Sequence, residues 1–231
     1  MEPDALGEQI GGVAALAEPV RRGLYLFVVA QPEPVTRDQA ADGVGVARHT
    51  VKFHLDKLVE EGLLDVDYKR LSGRDGPGAG RPTKRYRRSE RELAVSLPAR
   101  RYDLAGELMA SAIERAAAQG SDVASELDAV ATQHGASIGR AARSALPART
   151  SRAGRLDAAS TVLAAYGYEP RLEDGVITLV NCPFHALAQE HTDLVCGMNL
   201  AMLGALVGEL GDDALSATLA PRPGRCCVTV G

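Results

Sequence analysis

The four cysteines carry the most reactive groups of the chain, and all lie in its last quarter. Cys182 is at the end of a predicted strand, Cys196 is early in a predicted helix, and Cys226 and Cys227 are in a predicted final strand. Thiolates brought together from separate elements suit a soft metal or an iron–sulfur cluster. There is no CxxC pair, so the spacing of a zinc knuckle is absent. The pattern predicts a metal or cluster site. A thiol redox switch and buried structural cysteines remain as alternatives.

The adjacent pair Cys226 and Cys227 is predicted to supply one ligand only. Successive residues of a strand point to opposite faces, and Cys226 shares its face with Val228 and Val230, which we expect to pack inward. The predicted ligands are therefore Cys182, Cys196 and Cys226. A fourth ligand stays open among Cys227, His185, His191 and a solvent or thiol group.

These cysteines are positioned by a predicted module of short strands and helices. Apolar periodicity and turn residues predict the following elements. They are a helix at Leu156–Tyr166, a hairpin of Glu169–Leu172 and Val176–Asn181, an apolar helix at Leu194–Leu210, and closing strands at Leu215–Leu219 and Cys226–Val230. The module is predicted to be a small antiparallel sheet with helices.

A second chemically distinctive stretch runs from Val46 to Leu64. Val51, Leu55, Leu58 and Val59 recur at helical spacing and predict a buried stripe. Long donors and an aromatic ring on the other faces are able to reach base edges in a major groove. The predicted base-reading residues are Arg48, His49, Thr50, Lys52 and Phe53.

The segments around this helix predict a winged helix-turn-helix. Pro19–Ala30 is a predicted helix, Thr36 and Gln39 form a capping box that begins a second one, and Gly43–Gly45 is a tight turn. Ala47 is a poor N-cap for the third helix, whereas Gly62 suits a left-handed C-terminal cap. Alternating strands at 64–71 and 82–88, with a glycine-rich loop between them, would form the wing.

Charge is distributed unevenly along the chain. Residues 19–91 hold 15 Lys and Arg against 10 Asp and Glu, whereas residues 92–231 hold 11 against 16. Within 69–91, nine basic residues face two acidic ones, which predicts contacts with DNA phosphates. The predicted phosphate-binding residues are Lys69, Arg70, Arg74, Arg81, Lys84, Arg85 and Arg87.

Residues 19–91 resemble the winged helix-turn-helix of the ArsR-like bacterial regulators. A more specific likeness is to the branch that contains the Suf-type iron–sulfur repressors, and it lies in HTVKFHLDKLVEEGLL followed by GRPTKRYRRS. In that branch the second wing strand begins with Gly-Arg-Pro and carries a Tyr four positions after the Pro, as Gly80-Arg81-Pro82 and Tyr86 do here. The cysteine intervals of 13 and 29 residues are also similar, and three cysteines hold a cluster in those repressors. The resemblance implies a homodimer on a double-stranded DNA operator. The C-terminal pattern also resembles a 4-vinyl reductase type domain, which implies an apolar effector instead.

Together these features predict an α+β protein. The predicted order is a flexible N-terminal tail at 1–18, a winged helix-turn-helix domain at 19–91, helical dimerisation and linker segments at 92–150, and a cysteine-containing sensor domain at 151–231. The central helices are expected at Leu93–Gln119 and Val123–Ser144, and Pro147–Arg155 is polar and breaker-rich, as linkers are.

The predicted function is a DNA-binding transcriptional repressor that senses an iron–sulfur cluster, a metal or redox state, with zinc as the alternative cofactor. A regulator of a small organic effector with structural cysteines is the main alternative. A cluster-bearing redox enzyme or electron carrier is disfavoured, because no nucleotide fingerprint, nucleophile elbow or paired catalytic carboxylates occur. No apolar run reaches the roughly 20 residues of a membrane span, and no secretory signal begins the sequence, so a cytoplasmic protein is expected.

Overall fold

The chain forms two compact units, Glu2–Val95 and Ser96–Gly231, which we call the N-terminal and C-terminal domains. The computed structural model describes residues 3–70, 82–211, 215–222 and 224–231. Each domain combines helices with a small antiparallel sheet. The predicted α+β class is confirmed.

The N-terminal domain contains four helices and three strands among its described residues. In chain order they are α1 (Pro3–Ala15), α2 (Pro19–Val29), β1 (Val35–Thr36), α3 (Arg37–Val44), α4 (Arg48–Glu60), β2 (Leu64–Lys69) and β3 (Thr83–Arg88). The sheet has the antiparallel order β1-β3-β2. Its core joins the buried stripe of α4, made by Val51, Leu55 and Leu58, to Leu24 of α2 and Tyr86 of β3.

Local sequence signals fix the ends of α3. The Gln39 backbone N–H donates to Thr36 Oγ1 at 3.2 Å, and the Thr36 backbone N–H donates to Gln39 Oε1 at 2.8 Å. This is the predicted capping box. Gly45 then ends α3 with φ of 71°, a left-handed conformation that glycine adopts without steric cost.

Helix α4 begins without a side-chain cap and ends in a cap made by backbone hydrogen bonds. Ala47 at the N-cap makes no side-chain hydrogen bond, as its methyl group requires. At the other end, the N–H groups of Gly62 and Leu63 donate to the carbonyls of Val59 and Leu58 at 3.0 and 2.9 Å. This is a Schellman motif, and it turns the chain directly into β2.

The prediction of a flexible tail at 1–18 is wrong. Pro3–Ala15 is helical, and Ala15 at its end is 6% exposed within the core of the N-terminal domain. A Cβ at Gly12 would approach a Leu93 methyl group at 2.6 Å, so this helix lies against the segment that follows the sheet. Leu16, directly after the helix, also packs against this core, although the first residues are acidic in composition.

The C-terminal domain contains five helices and four strands among its described residues. In chain order they are α5 (Tyr102–Gln119), α6 (Val123–Ser144), α7 (Arg152–Ala165), β4 (Pro170–Glu173), β5 (Val176–Leu179), α8 (His185–Glu190), α9 (Thr192–Glu209), β6 (Ala217–Leu219) and β7 (Val228–Val230). The strands form one antiparallel sheet in the order β4-β5-β7-β6.

The predicted boundary between 92–150 and 151–231 is wrong, because one core spans both segments. Leu104 and Leu108 of α5 and Leu127 of α6 are buried in the same cluster as Met198 and Leu203 of α9. The apolar residues of α5 and α6, the predicted dimerisation segment, are mostly buried within the same chain, where α6 packs between α5 and α9. Ile113 is an exception, at 55% exposure.

Helix α5 starts at Tyr102, not at Leu93 as predicted. Pro98 explains the difference, since it has no N–H for a helix interior and disfavours helical geometry at Leu97. Helix α7 starts at Arg152, inside the predicted linker, with the Ser151 hydroxyl accepting from the Gly154 N–H at 3.2 Å.

Two glycines allow α6 and α9 to pack backbone against backbone. A Cβ added at Gly135 would overlap the Met202 carbonyl oxygen, and one at Gly139 would overlap the Leu206 carbonyl oxygen. Both glycines are buried and lie one helical turn apart. Side-chain movement offers no relief, because the clash is with backbone atoms.

We predict that Gly135→Ala destabilises the protein by about 2–3 kcal/mol or more, the upper range for overpacking a tight core. Gly106→Ala is the matched control, since Gly106 is exposed within α5 and a Cβ there meets nothing within 4 Å. The control should be neutral or stabilising by about 0.5–1 kcal/mol, the usual helix gain of alanine over glycine. Urea unfolding followed by circular dichroism measures both. Equal midpoints would contradict the close packing.

Candidate nucleic-acid interface and cysteine cluster

The outer face of α4 carries the side chains predicted to read DNA. Arg48, His49, Lys52 and Phe53 are all exposed, and Thr50 is half-buried. Phe53 is 66% exposed although it is the largest apolar side chain of the helix. Exposed aromatic rings that flank cationic groups are typical of a binding surface rather than of a solvated face.

The charged groups on this face differ in how far they are already paired. Arg48 Nε lies 3.4 Å from Asp38 Oδ1, in an exposed ion pair with the first turn of α3. Within the described residues Lys52 makes no ion pair, and it lines a shallow surface groove with His49 and Phe53. Lys52 is therefore the donor on α4 that is most available to a partner.

The basic residues of the wing strands largely face aspartates of the neighbouring elements. Arg85 makes a two-pronged pair with Asp67, with Nε–Oδ1 at 2.8 Å and Nη2–Oδ2 at 2.5 Å. The strand register sets this pair directly opposite across β2 and β3. Lys84 Nζ lies 2.6 Å from Asp56 Oδ1 of α4. Asp56 and Asp67 lie outside residues 69–91, so they partly neutralise the excess of positive charge in that segment.

These ion pairs separate the predicted phosphate-binding residues into paired, partly buried side chains and exposed ones. The Arg85 side chain is only 13% exposed, so its placement fits a structural ion pair and does not support a phosphate contact. Arg87 keeps 56% of its side chain exposed, with a longer 3.6 Å approach to Asp65. Lys69 and Arg70 are exposed at the end of β2. Arg74 and Arg81 lie outside the described residues.

The four cysteines of the C-terminal domain lie together. Cys182 follows β5, Cys196 is on α9, and Cys226 and Cys227 immediately precede β7. The thiols of Cys182 and Cys227 each hydrogen-bond to the Cys226 sulfur, and Cys227 also contacts the thiol of Cys196. A continuous row of four sulfurs results, in the order 182, 226, 227, 196.

Cys226 is the thiol that ionises first in this row. Hydrogen bonds from the Cys182 and Cys227 thiols, opposed by burial and aided by the Val228 backbone N–H and the Asn199 side chain, lower the pKa of Cys226 to about 3. The same contacts raise the pKa of Cys182 and Cys227, because each keeps its proton to donate it. The row is best described as one thiolate held between two thiols.

A buried amide is part of the same cluster. Asn199 of α9 is 1% exposed, and its Nδ2 donates to Cys226 Sγ at 3.3 Å. The Tyr168 hydroxyl donates to Asn199 Oδ1 at 2.5 Å, which fixes the amide orientation. Sequence reasoning missed both residues. An asparagine in the middle of the most apolar helix was the available signal, since buried polar groups require partners.

The reason for predicting that only one of Cys226 and Cys227 serves the site does not hold. It assumed a strand from Cys226, but β7 begins at Val228, so strand alternation does not govern these two residues. The turn before β7 lets both sulfurs face the cluster. Cys226 is nevertheless the more buried, at 3% exposure.

The thiol chemistry suits a soft metal, but the arrangement does not form a metal site. Across the described ranges, no group of three or more His, Cys, Asp or Glu side chains is placed so that it could hold a metal ion. His185 and His191 are both exposed at the ends of α8, and no hydrogen bond joins either ring to a thiol among the described residues. Metal binding would have to replace the thiol–thiol hydrogen bonds.

A comparison with known families covers the segment that carries the first candidate site, the outer face of α4. Residues 16–67 match the family model described as "Helix-turn-helix domain". The N-terminal domain is a helix-turn-helix domain. No curated protein and no solved structure shows significant similarity to the chain. Among the described residues, no helix has the length and apolarity needed to cross a membrane.

The matched span extends from the end of α1 into β2. It therefore includes all of α4, with Lys52 and Phe53. Both the second wing strand, β3, and the cysteine cluster lie outside it. The helix-turn-helix assignment supports a DNA-binding regulator and leaves its signal open.

We predict that the ultraviolet thiolate absorbance of Cys226 is nearly independent of pH from about 5 to about 8. Its pKa of about 3 keeps it as the thiolate throughout that range. A thiol with the ordinary pKa of about 8.5 would show almost none of this absorbance at the acidic end and would gain it as the pH rises. Cys182→Ala removes the largest cause of the lowered pKa, so its profile should slope upward with pH. Difference spectra against Cys226→Ser measure the absorbance.

Cys196→Ala is the matched control for that experiment. It removes a thiol that contacts Cys227 rather than Cys226, so the flat profile should persist. A wild-type thiolate absorbance that appears only near the ordinary pKa of about 8.5 would show that Cys226 is an ordinary thiol.

Proposed function

We propose that the protein is a homodimeric, DNA-binding transcriptional repressor whose C-terminal cysteine cluster provides the regulatory signal. The observation that carries the DNA-binding part is the exposed surface of α4, with Lys52 and Phe53 presented by a helix-turn-helix domain. The resemblance to the ArsR-like, Suf-type branch supports the repressor and homodimer parts. A DNA-binding regulator acts where the chromosome is, which supports the predicted cytoplasmic location.

The reading mechanism follows from the contacts of α4. The helix would enter the major groove with Lys52 directed at guanine acceptors and Phe53 at thymine methyl groups. Lys69, Arg70 and Arg87, with Arg74 and Arg81, would lie along phosphates and supply salt-dependent affinity. Arg48 would exchange its exposed pair with Asp38 for a DNA contact at little cost, because exposed ion pairs contribute at most about 1 kcal/mol.

We predict that Lys52→Ala weakens binding to a DNA site selected from a random duplex library by about 1–3 kcal/mol and relaxes its sequence preference. Lys57→Ala is the matched control. It removes the same charge from the same helix, but Lys57 is already paired with Glu60 and Glu61 at 2.9 and 2.8 Å. Fluorescence anisotropy measures both affinities. Equal losses for the two variants would refute specific reading by α4.

We predict a different result for Arg87→Ala. A phosphate contact carries no sequence information, so affinity should fall evenly for all sites and the salt dependence should decrease by about one unit of slope. The same anisotropy titrations at several salt concentrations measure this. A sequence-selective loss would place Arg87 at base edges instead.

The sensing part of the proposal covers an iron–sulfur cluster, a metal or the redox state of the thiols. Its support is the row of four cysteines and the resemblance in their spacing. Cys182, Cys196 and Cys226 would hold a cluster, with Cys227 now beside them as a further thiol. When bound, a cluster would supply a centre whose charge and stability depend on redox conditions. The thiol–thiol hydrogen bonds favour thiol redox chemistry as the second candidate.

If a cluster is the signal, anaerobically purified protein shows visible absorbance and bound iron, and Cys182→Ser and Cys196→Ser abolish both. Cys227→Ser, compared with Cys226→Ser, identifies which of the adjacent thiols is required. DNA affinity is then measured for cluster-loaded, reduced cluster-free and oxidised protein. A colourless, iron-free protein whose affinity changes on oxidation supports the thiol switch. Equal affinity in every state, retained by the cysteine variants, would refute cysteine sensing.

A further inference from the structure

The outer face of the C-terminal sheet is built from polar side chains in register. Thr178 of β5 lies opposite Thr229 of β7, which lies opposite Thr218 of β6. The hydroxyls of Thr218 and Thr229 are 3.1 Å apart. Ile177, Val228 and Val230 alternate with these residues and are buried in the core. The threonines therefore form a hydroxyl row on the side of the sheet away from the core.

Two arginines stand at one end of this row. Arg222 and Arg225 belong to the turn that precedes β7, where the Arg225 backbone N–H donates to the Arg222 carbonyl at 3.3 Å and Gly224 has φ of 71°. Both side chains are exposed, and neither makes an ion pair or side-chain hydrogen bond in the described part of the chain. This is unusual within a segment, residues 92–231, that carries 16 acidic residues against 11 basic ones.

The arginines and threonines share a cavity of about 140 Å³. Thr178, Thr229, Arg222 and Arg225 supply most of its polar lining, and Val176, Leu179 and Ala220 supply its apolar lining. Cys226 also lines it, and no carboxylate does so among the described residues. The two guanidinium groups outnumber the single Cys226 thiolate, so the lining keeps a net positive charge. A cavity of about 150 Å³ accommodates a molecule the size of benzene, which has six non-hydrogen atoms. The site thus combines room for a small ligand, two unpaired cations, hydroxyl donors and an apolar wall.

We propose that this pocket binds a small organic carboxylate of about six non-hydrogen atoms. The guanidinium groups match the planar carboxylate and form charge-assisted hydrogen bonds with it. The threonine hydroxyls donate to the same oxygens, and a short hydrocarbon part packs on Val176 and Ala220. The site shares Cys226 with the cysteine cluster but does not rest on the proposed DNA binding or sensing, because ligand binding to the reduced protein is measured independently of both.

Butyrate and butyramide test the proposal as a matched pair of equal size. Butyrate has the carboxylate, whereas butyramide has the same six non-hydrogen atoms and no charge. Binding to the full-length reduced protein is measured by ligand-observed saturation-transfer NMR titration. Butyrate should bind at least tenfold more tightly than butyramide. Equal affinity of the two, or no binding of either, would overturn the proposal.

Variants then locate the site. Arg222→Gln combined with Arg225→Gln should weaken butyrate at least tenfold while leaving unfolding midpoints unchanged, since both side chains are exposed. Arg149→Gln is the control, because Arg149 is an exposed arginine of the same domain outside the pocket. Loss of binding in the control alone, or in neither variant, would overturn the assignment. Inorganic phosphate that binds more tightly than butyrate would overturn the organic part of it.

Discussion

The arrangement of the C-terminal domain depends on the contact between the glycines of α6 and the backbone of α9. Gly135 and Gly139 leave no space between the two helices, so the position of α9 is fixed by backbone atoms rather than by adaptable side chains. Helix α9 carries both Asn199 and Cys196. The amide that orients the Cys226 sulfur is therefore located by a packing feature on a different helix. Such contacts are stiff, because close-packed interiors absorb displacement poorly.

In the helix-turn-helix domain, ion pairs with aspartates fix the position of the second wing strand. Asp67 and Asp56 pair with Arg85 and Lys84, so the second wing strand is tied both to β2 and to α4. The cation–π contact of Lys84 with Tyr86, at 5.0 Å, adds to the same joint. Basic residues here have two roles that a charge count does not separate. Those turned toward aspartates build the wing, and those at its edge remain available to DNA.

Local signals allowed most of the N-terminal domain to be predicted from sequence. The capping box at Thr36, the weak cap at Ala47 and the glycine cap at Gly62 each act within a few residues, so their spacing is visible in the sequence. Helix α1 was missed because its composition is that of a tail. The start of α5 differs from the prediction because the apolar periodicity continues through Pro98, whereas the helix begins only after it.

The cysteine cluster illustrates what sequence alone does not determine. Its four members could be named, but their order of contact depends on where β7 begins, and a shift of two residues removes the geometric reason for choosing between Cys226 and Cys227. Asn199 and Tyr168 are 31 positions apart and meet only through tertiary packing. Long-range contacts of this kind leave no spacing rule in a single sequence.

The shared core changes how a signal at the cysteines would travel. A separate sensor joined by a linker could change without moving the central helices. In this structure α5 and α6 share their buried residues with α9. A new bond at Cys196 acts on α9, and α6 has no gap at Gly135 into which that strain could relax. In the proposed cysteine-sensing function, the central helices would respond together with the cysteine cluster, as part of the sensor rather than as a relay attached to it.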